Sequence, residues 1–130
     1  MSKATTAVTF SLIPGTSVAK GVFAGNMPAQ EDGILACSIV LLDAKPPKSL
    51  NWNDAMKWAE KVGGYLPTRR ELSLLRATVP EQFKPEWYWS EKQHASSSAG
   101  AWCQFFANGS QDNHYKSSEL RARAVRRLPI

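Results

Sequence analysis

The sequence predicts an α+β domain: two helices packed on a mostly antiparallel, twisted sheet. Two stretches near the middle of the chain repeat apolar residues every three or four positions and begin with helix-capping residues. The flanking segments alternate or run apolar over strand lengths, with Gly, Pro, Asn and Asp between them. The 130 residues fit a single domain over positions 1–130, and 43% hydrophobic residues, among them five Trp, five Phe and three Tyr, supply a core.

The N-terminal part, residues 1–48, reads as β. Val8, Phe10 and Leu12 alternate with Thr9 and Ser11, the period of a half-buried strand, and Pro14-Gly15 ends it. Residues 21–25 form a second short strand. After the turn signal Asp32-Gly33, residues 34–42 run almost without polar side chains, as a central strand does. Lys45-Pro46-Pro47-Lys48 stops it, because consecutive prolines remove donors and fix φ.

The first helix covers about residues 52–62. Trp52, Ala55, Met56, Ala59 and Val62 make its apolar face, Asn51 is the N-cap with Asp54 in the capping-box position, and Gly63-Gly64 ends it. The second covers about residues 69–78. Thr68 caps it with Glu71 as reciprocal partner, Leu72, Leu75 and Val79 share one face beside Leu74, and Pro80 closes it.

The last 40 residues return to β. Residues 87–90 make an aromatic strand, and 91–100, with Ser96, Ser97, Ser98 and Gly100, an exposed loop. Residues 102–106 form a strand, Asn108-Gly109 is a hairpin turn signal, and 111–116 is a polar stretch. Residues 119–128 read as a closing strand, with Ala122 and Ala124 on one face and Arg121, Arg123 and Val125 on the other.

The net charge of +5 favours anionic partners through long-range attraction. From residue 116 onward Lys116, Arg121, Arg123, Arg126 and Arg127 face a single acid, Glu119. Cys37 and Cys103 lie in apolar surroundings and read as free, buried thiols. With two Cys, two His and scattered acids, no zinc or calcium spacing occurs, so neither metal nor cofactor is expected. No apolar run reaches the roughly 18 residues of a membrane span, and no signal core follows the N-terminus, so a cytoplasmic location is expected.

The ordered runs GGYLPTRRELSLL, YWSE, AWCQFFANG and LRARAVRR resemble the Lcl C-terminal domain family. The family pattern falls on Trp52 and Ala55, on residues 63–72, on Tyr88, Trp89 and Ser90, on Ala101-Trp102, and on residues 123–127. The likeness covers about residues 50–130. It implies a C-type-lectin-like fold near the formylglycine-generating-enzyme branch, used as a binding module, with sulfated polysaccharide among the ligands of some members. Glu91 stands where the family has a second Ser, and no collagen-like stalk is present. The second departure points to a short stand-alone protein of phage or prophage type, for which a virion-associated location is the alternative.

The conspicuous residues have plain structural readings. Pro67, Thr68 and Glu71 are explained by helix capping, which leaves Arg69 and Arg70 unexplained. Nothing pairs Glu71, Glu91, Asp112 or Glu119 for acid–base work, and His94 and His114 read as solvated loop histidines outside any triad. Cys103 is alone, whereas formylglycine-generating chemistry needs a reactive Cys pair. Trp52, Trp89 and Trp102 read as core, Trp87 and Tyr88 as partly exposed, and Arg123 and Arg126 as structural.

The expected function is therefore non-enzymatic binding of a protein or an anionic polymer such as a sulfated glycan. The expected ligand face combines His94 and its loop with Asn108, Ser110, Gln111, Asp112, Asn113, His114, Tyr115 and Lys116 of the polar hairpin. Tyr115 and His114 are the central contacts, and Arg121 and Arg127 supply anion contacts. The alternative is a phage-encoded intracellular counter-defence or nucleic-acid-binding protein that uses the basic charge and exposed aromatics.

Overall fold

The computed structural model describes residues 12–130, so Val8 and Phe10 of the first expected strand lie outside the described residues. Along the chain come β1 (Ser17–Val18), β2 (Gly21–Met27), β3 (Cys37–Leu42), α1 (Trp52–Lys61) and α2 (Arg69–Thr78). A 3-10 turn at Pro80–Gln82 precedes β4 (Trp87–Gln93), β5 (Gly100–Phe105), β6 (Gln111–Tyr115) and β7 (Val125–Pro129). The class is α+β, but the one expected sheet is two. Both are antiparallel, with strand orders β1-β2-β3-β7 and β4-β5-β6.

Both helices form where local chemistry places them. The Asn51 side chain accepts from the Asp54 N–H at 2.9 Å, while Asp54 meets the Asn51 side chain and leaves the cap N–H free of it. This is a cap without the reciprocal half of the box. Thr68 and Glu71 complete theirs, at 3.0 and 2.9 Å. On α1 the buried stripe uses Ala55 and Ala59 with Trp52, Trp58 and Val62, and Met56 faces solvent. The 3.6-residue turn sets Trp58 beside Ala55 and Val62 and moves Met56 off that stripe.

The helices flank the β4-β5-β6 sheet. Cross-strand partners share a face, so Trp87, Trp89, Ala101, Cys103, Phe105, Asp112 and His114 point one way. That side packs with Ala55 and Ala59 of α1 and with Leu66, Ala122 and Ala124. The other side carries Trp102, Gln104, Gln111 and Asn113 and meets α2, where Gln104 donates to the Leu72 carbonyl at 2.9 Å. The apolar face of α2 (Leu72, Leu75, Val79) fills the space toward Val22, Ala24, Ile39 and Leu41 of the first sheet.

The closing strand starts at Val125, six residues later than expected. Residues 120–124 instead form the seam between the sheets. Arg121 exchanges backbone bonds with Trp87 and Trp89, and Ala124 accepts from the Leu42 N–H. Strand alternation fails here because Ala122, Arg123 and Ala124 are all buried. Gly64 permits the close approach of this region, since a Cβ there would lie 2.6 Å from the Val125 carbonyl oxygen.

Glu71 has a second role besides capping. It is fully buried and receives Arg127 through two nitrogens, at 2.7 and 2.9 Å, and the Gln30 amide at 2.9 Å. Gln30 in turn accepts from the Thr68 hydroxyl. The start of α2 is thereby tied to β7 and to the loop after β2.

Candidate functional site

A cleft of about 460 Å³ opens between the start of α2, residues 30–32 and the outer side of β4-β5-β6. Trp102, half-buried, belongs to its floor. The Arg69 guanidinium lies 3.6 Å from the centre of the Trp102 ring, within cation–π range. The His94 ring lies 5.0 Å from the same indole, and its Nδ1 is 3.2 Å from the Ser96 hydroxyl.

A polar chain fixes this arrangement from below. Arg69 Nε donates to Gln111 Oε1 at 2.8 Å. Gln111 Nε2 donates to the Arg69 carbonyl and to Gln104 Oε1, at 2.8 and 2.9 Å. Gln104 is fully buried and anchored on Leu72. Each long side chain is thus held in one geometry before any ligand arrives. The charges along the cleft balance, with Arg69, Arg70 and Lys92 against Glu31, Asp32 and Glu91. Burial pushes the Glu91 carboxyl above its ordinary value, offset in part by the Arg127 guanidinium.

The residues expected to form one ligand face are divided among several places. Gln111 belongs to the cleft, and Asn113 and the exposed Tyr115 continue its side along β6, the edge strand of the sheet. Asn108 and Ser110 sit at the hairpin tip, where the Asn108 side chain accepts from the Ser110 N–H and Gly109 takes a φ of 82°. Asp112 accepts from the neighbouring Asn113 N–H and faces the opposite side. Lys116 bonds Gln93 Oε1 at 2.6 Å and lies 4.6 Å from the Trp52 ring. Arg121 pairs with Glu86 at 2.6 Å, and Arg127 is occupied by Glu71.

His114 is placed differently from the solvated loop position expected of it. It lies within β6, half-buried, with its ring 4.8 Å from that of Trp87 and Nδ1 2.9 Å from Cys103 Sγ. The alternation of β6 turns it toward the Ala101 and Cys103 side. Tyr88, expected to be partly exposed, is buried against Phe83 and Phe106. The expectation missed Arg69, Gln104 and Ser73 as partners of the cleft. A signal for Arg69 was present, since capping accounts for every polar residue of its motif except the two arginines.

The Cys103–His114 contact is not accompanied by a lowered thiol pKa. Burial first, then the Asp112 charge, pushes the Cys103 thiol up to about 12. Cys103 and Cys37 are both free and buried. Cys103 should therefore resist a thiol-labelling reagent in the native protein from pH 7 to 9 and react once urea unfolds the chain. The unfolded thiol loses its proton first as pH rises through 9.0, so Cys103 should also lower stability between pH 9.0 and about 12. Fast native labelling at pH 7 would contradict both expectations.

Among the described residues no group of three or more His, Cys, Asp or Glu is arranged to hold a metal ion, and no helix is long and apolar enough to cross a membrane. Comparison of the chain with protein-family models and with curated proteins finds no match.

Proposed function

We propose that the protein is a non-catalytic binding module with a C-type-lectin-like arrangement, as its resemblance to the Lcl C-terminal domain family implies, and that the cleft over Trp102 takes a segment of a partner protein. The observation that carries this reading is the Trp102 ring flanked by Arg69 and His94 in a cleft of balanced charge. Three acids in the wall oppose a polyanion. The terminal nitrogens of Arg69 and the Glu91 carboxylate, which make no hydrogen bond among the described residues, offer the donors and acceptor that a peptide backbone needs. Arg and Trp are the residue types that dominate protein interfaces, and side chains already fixed lose little freedom on binding. The protonated Cys103 thiol also favours binding over nucleophilic chemistry.

The test uses a photo-crosslinking residue at Gln93, on the cleft wall, and another at Lys57 on the exposed side of α1. Crosslinking in host lysate, with and without nuclease, identifies the partner. A protein captured through position 93 alone, and bound at least about tenfold more weakly by Trp102→Ala or Arg69→Ala, supports the reading; that loss is about 1.4 kcal/mol. Unchanged affinity in both variants, with unchanged melting, rejects the cleft. Capture that disappears with nuclease rejects a protein ligand.

A further inference from the structure

We propose that a second cavity, bounded by the loop of Lys45 and Lys48, by Lys84 and by Arg121 and Arg123, is a binding site for a tetrahedral oxyanion: the phosphate or sulfate group of an ester. The cavity measures about 300 Å³ and is separate from the Trp102 cleft, with which it shares no lining residue. Five cationic side chains line it against one acid, Glu81. Arg121 is partly neutralised by Glu86. Lys45, Lys48, Lys84 and Arg123 have no carboxylate within ion-pair distance among the described residues, and residues 1–11 contain no acid.

Arg123 is the decisive group. It is 3% exposed. Its two terminal nitrogens donate to the Gln82 and Leu42 carbonyls, but its Nε is buried with no acceptor. It is the one such side-chain atom among the described residues. Buried guanidinium groups are normally paired with a carboxylate, because desolvating the charge is costly without a counter-charge. Here the partners are two carbonyls and the Phe83 ring at 5.4 Å, with no carboxylate within ion-pair distance among the described residues. Burial accordingly lowers the Arg123 pKa, with the Tyr88 and Asp43 charges opposing that shift.

An oxyanion in the cavity supplies the missing counter-charge. It brings acceptor oxygens to a cavity lined by Lys45, Lys48, Lys84 and Arg121 beside Arg123, and flexible lysines can close on it from the Lys45–Lys48 side. Pro46, Pro47 and Phe83 give apolar walls for the group that the phosphate or sulfate esterifies. A carboxylate would meet the charge but not the spread of donors, since it presents two oxygens rather than three or four.

The experiment is a titration of ¹⁵N-labelled protein with sodium phosphate and, separately, sodium sulfate, at ionic strength held constant with sodium chloride. The resonances followed are the Arg123 side-chain Nε–H and the Lys84 amide. Saturable shifts of both are expected. The exposed-residue variants Lys45→Gln/Lys48→Gln and Lys84→Gln should each bind about fivefold more weakly or worse, as loss of a charge-assisted contact requires. Trp102→Ala should leave the titration unchanged. Phosphate bound about tenfold or more tightly than sulfate, a gap of about 1.4 kcal/mol, identifies a phosphomonoester. Equal binding identifies a sulfate or phosphate ester without preference. Shifts that fail to saturate, that chloride reproduces, or that survive in both lysine variants overturn the proposal.

Discussion

Arg127→Ala is expected to destabilise the protein by about 3–5 kcal/mol, the range for removing one partner of a buried ion pair. The Arg127 side chain is 15% exposed and that of Glu71 is fully buried. The substitution leaves Glu71 with the Gln30 amide and the Thr68 N–H but with no counter-charge. The large effect comes from the stranded carboxylate more than from the lost attraction. Glu71→Gln in the Arg127→Ala background should therefore recover part of the loss. Urea unfolding midpoints measure both. Arg121→Ala provides the contrast, because its pair with Glu86 is largely exposed and solvent-screened. If Arg127→Ala moved the midpoint no further than Arg121→Ala, Glu71 would have found another partner and the anchoring role would fail.

Trp89→Ala should cost about 3–5 kcal/mol, as large-to-small changes of buried aromatics do. Trp89 is fully buried between α1 and the seam residues, packed with Ala55, Leu66, Ala122 and Ala124. The small residues around it cannot expand into the space left behind. Its indole N–H also donates to the Leu50 carbonyl at 2.8 Å, in the stretch that bridges to Leu120. Trp89→Phe keeps much of the volume and loses that bond, so a smaller loss is expected. Thermal unfolding of the three proteins gives the order wild type, Phe, Ala. An Ala variant as stable as the Phe variant would show that packing is not what Trp89 contributes.

What the sequence makes legible is what local chemistry decides. Thr68 and Glu71 are three residues apart, and their reciprocal bonds follow from helix geometry alone, so α2 is found where the capping pattern puts it. Residues 119–128 look like a strand because Arg121, Arg123 and Val125 alternate with alanines. Arg123 breaks the inference, since two carbonyls distant in sequence draw its guanidinium inward. His114 departs from the solvated position its polar neighbours suggest for a similar reason. Composition marks the hairpin as polar, but only the pairing of Ala101 with His114 decides which way the imidazole turns. The cleft was the least legible feature. Its partners, Arg69, Trp102, Gln104 and Gln111, come from three elements, and nothing in one residue announces the others.

The pairing of β3 with β7 has a consequence for how the chain is made. Cys37 pairs with Pro129 and Leu41 with Val125, across some of the longest separations in the molecule. Closing so long a loop costs entropy before any contact repays it, and folds dominated by distant pairings form slowly. While residues 43–124 are being synthesised, the edge of β3 opposite β2 has no strand to meet. A nascent chain stopped short of residue 125 would expose Ile39, Val40 and Leu41 as an unpaired strand edge, the kind of surface that recruits other chains. The two helices can coil early, but the first sheet closes only after translation has passed the seam. Premature termination there would leave an aggregation-prone fragment and not a smaller working domain.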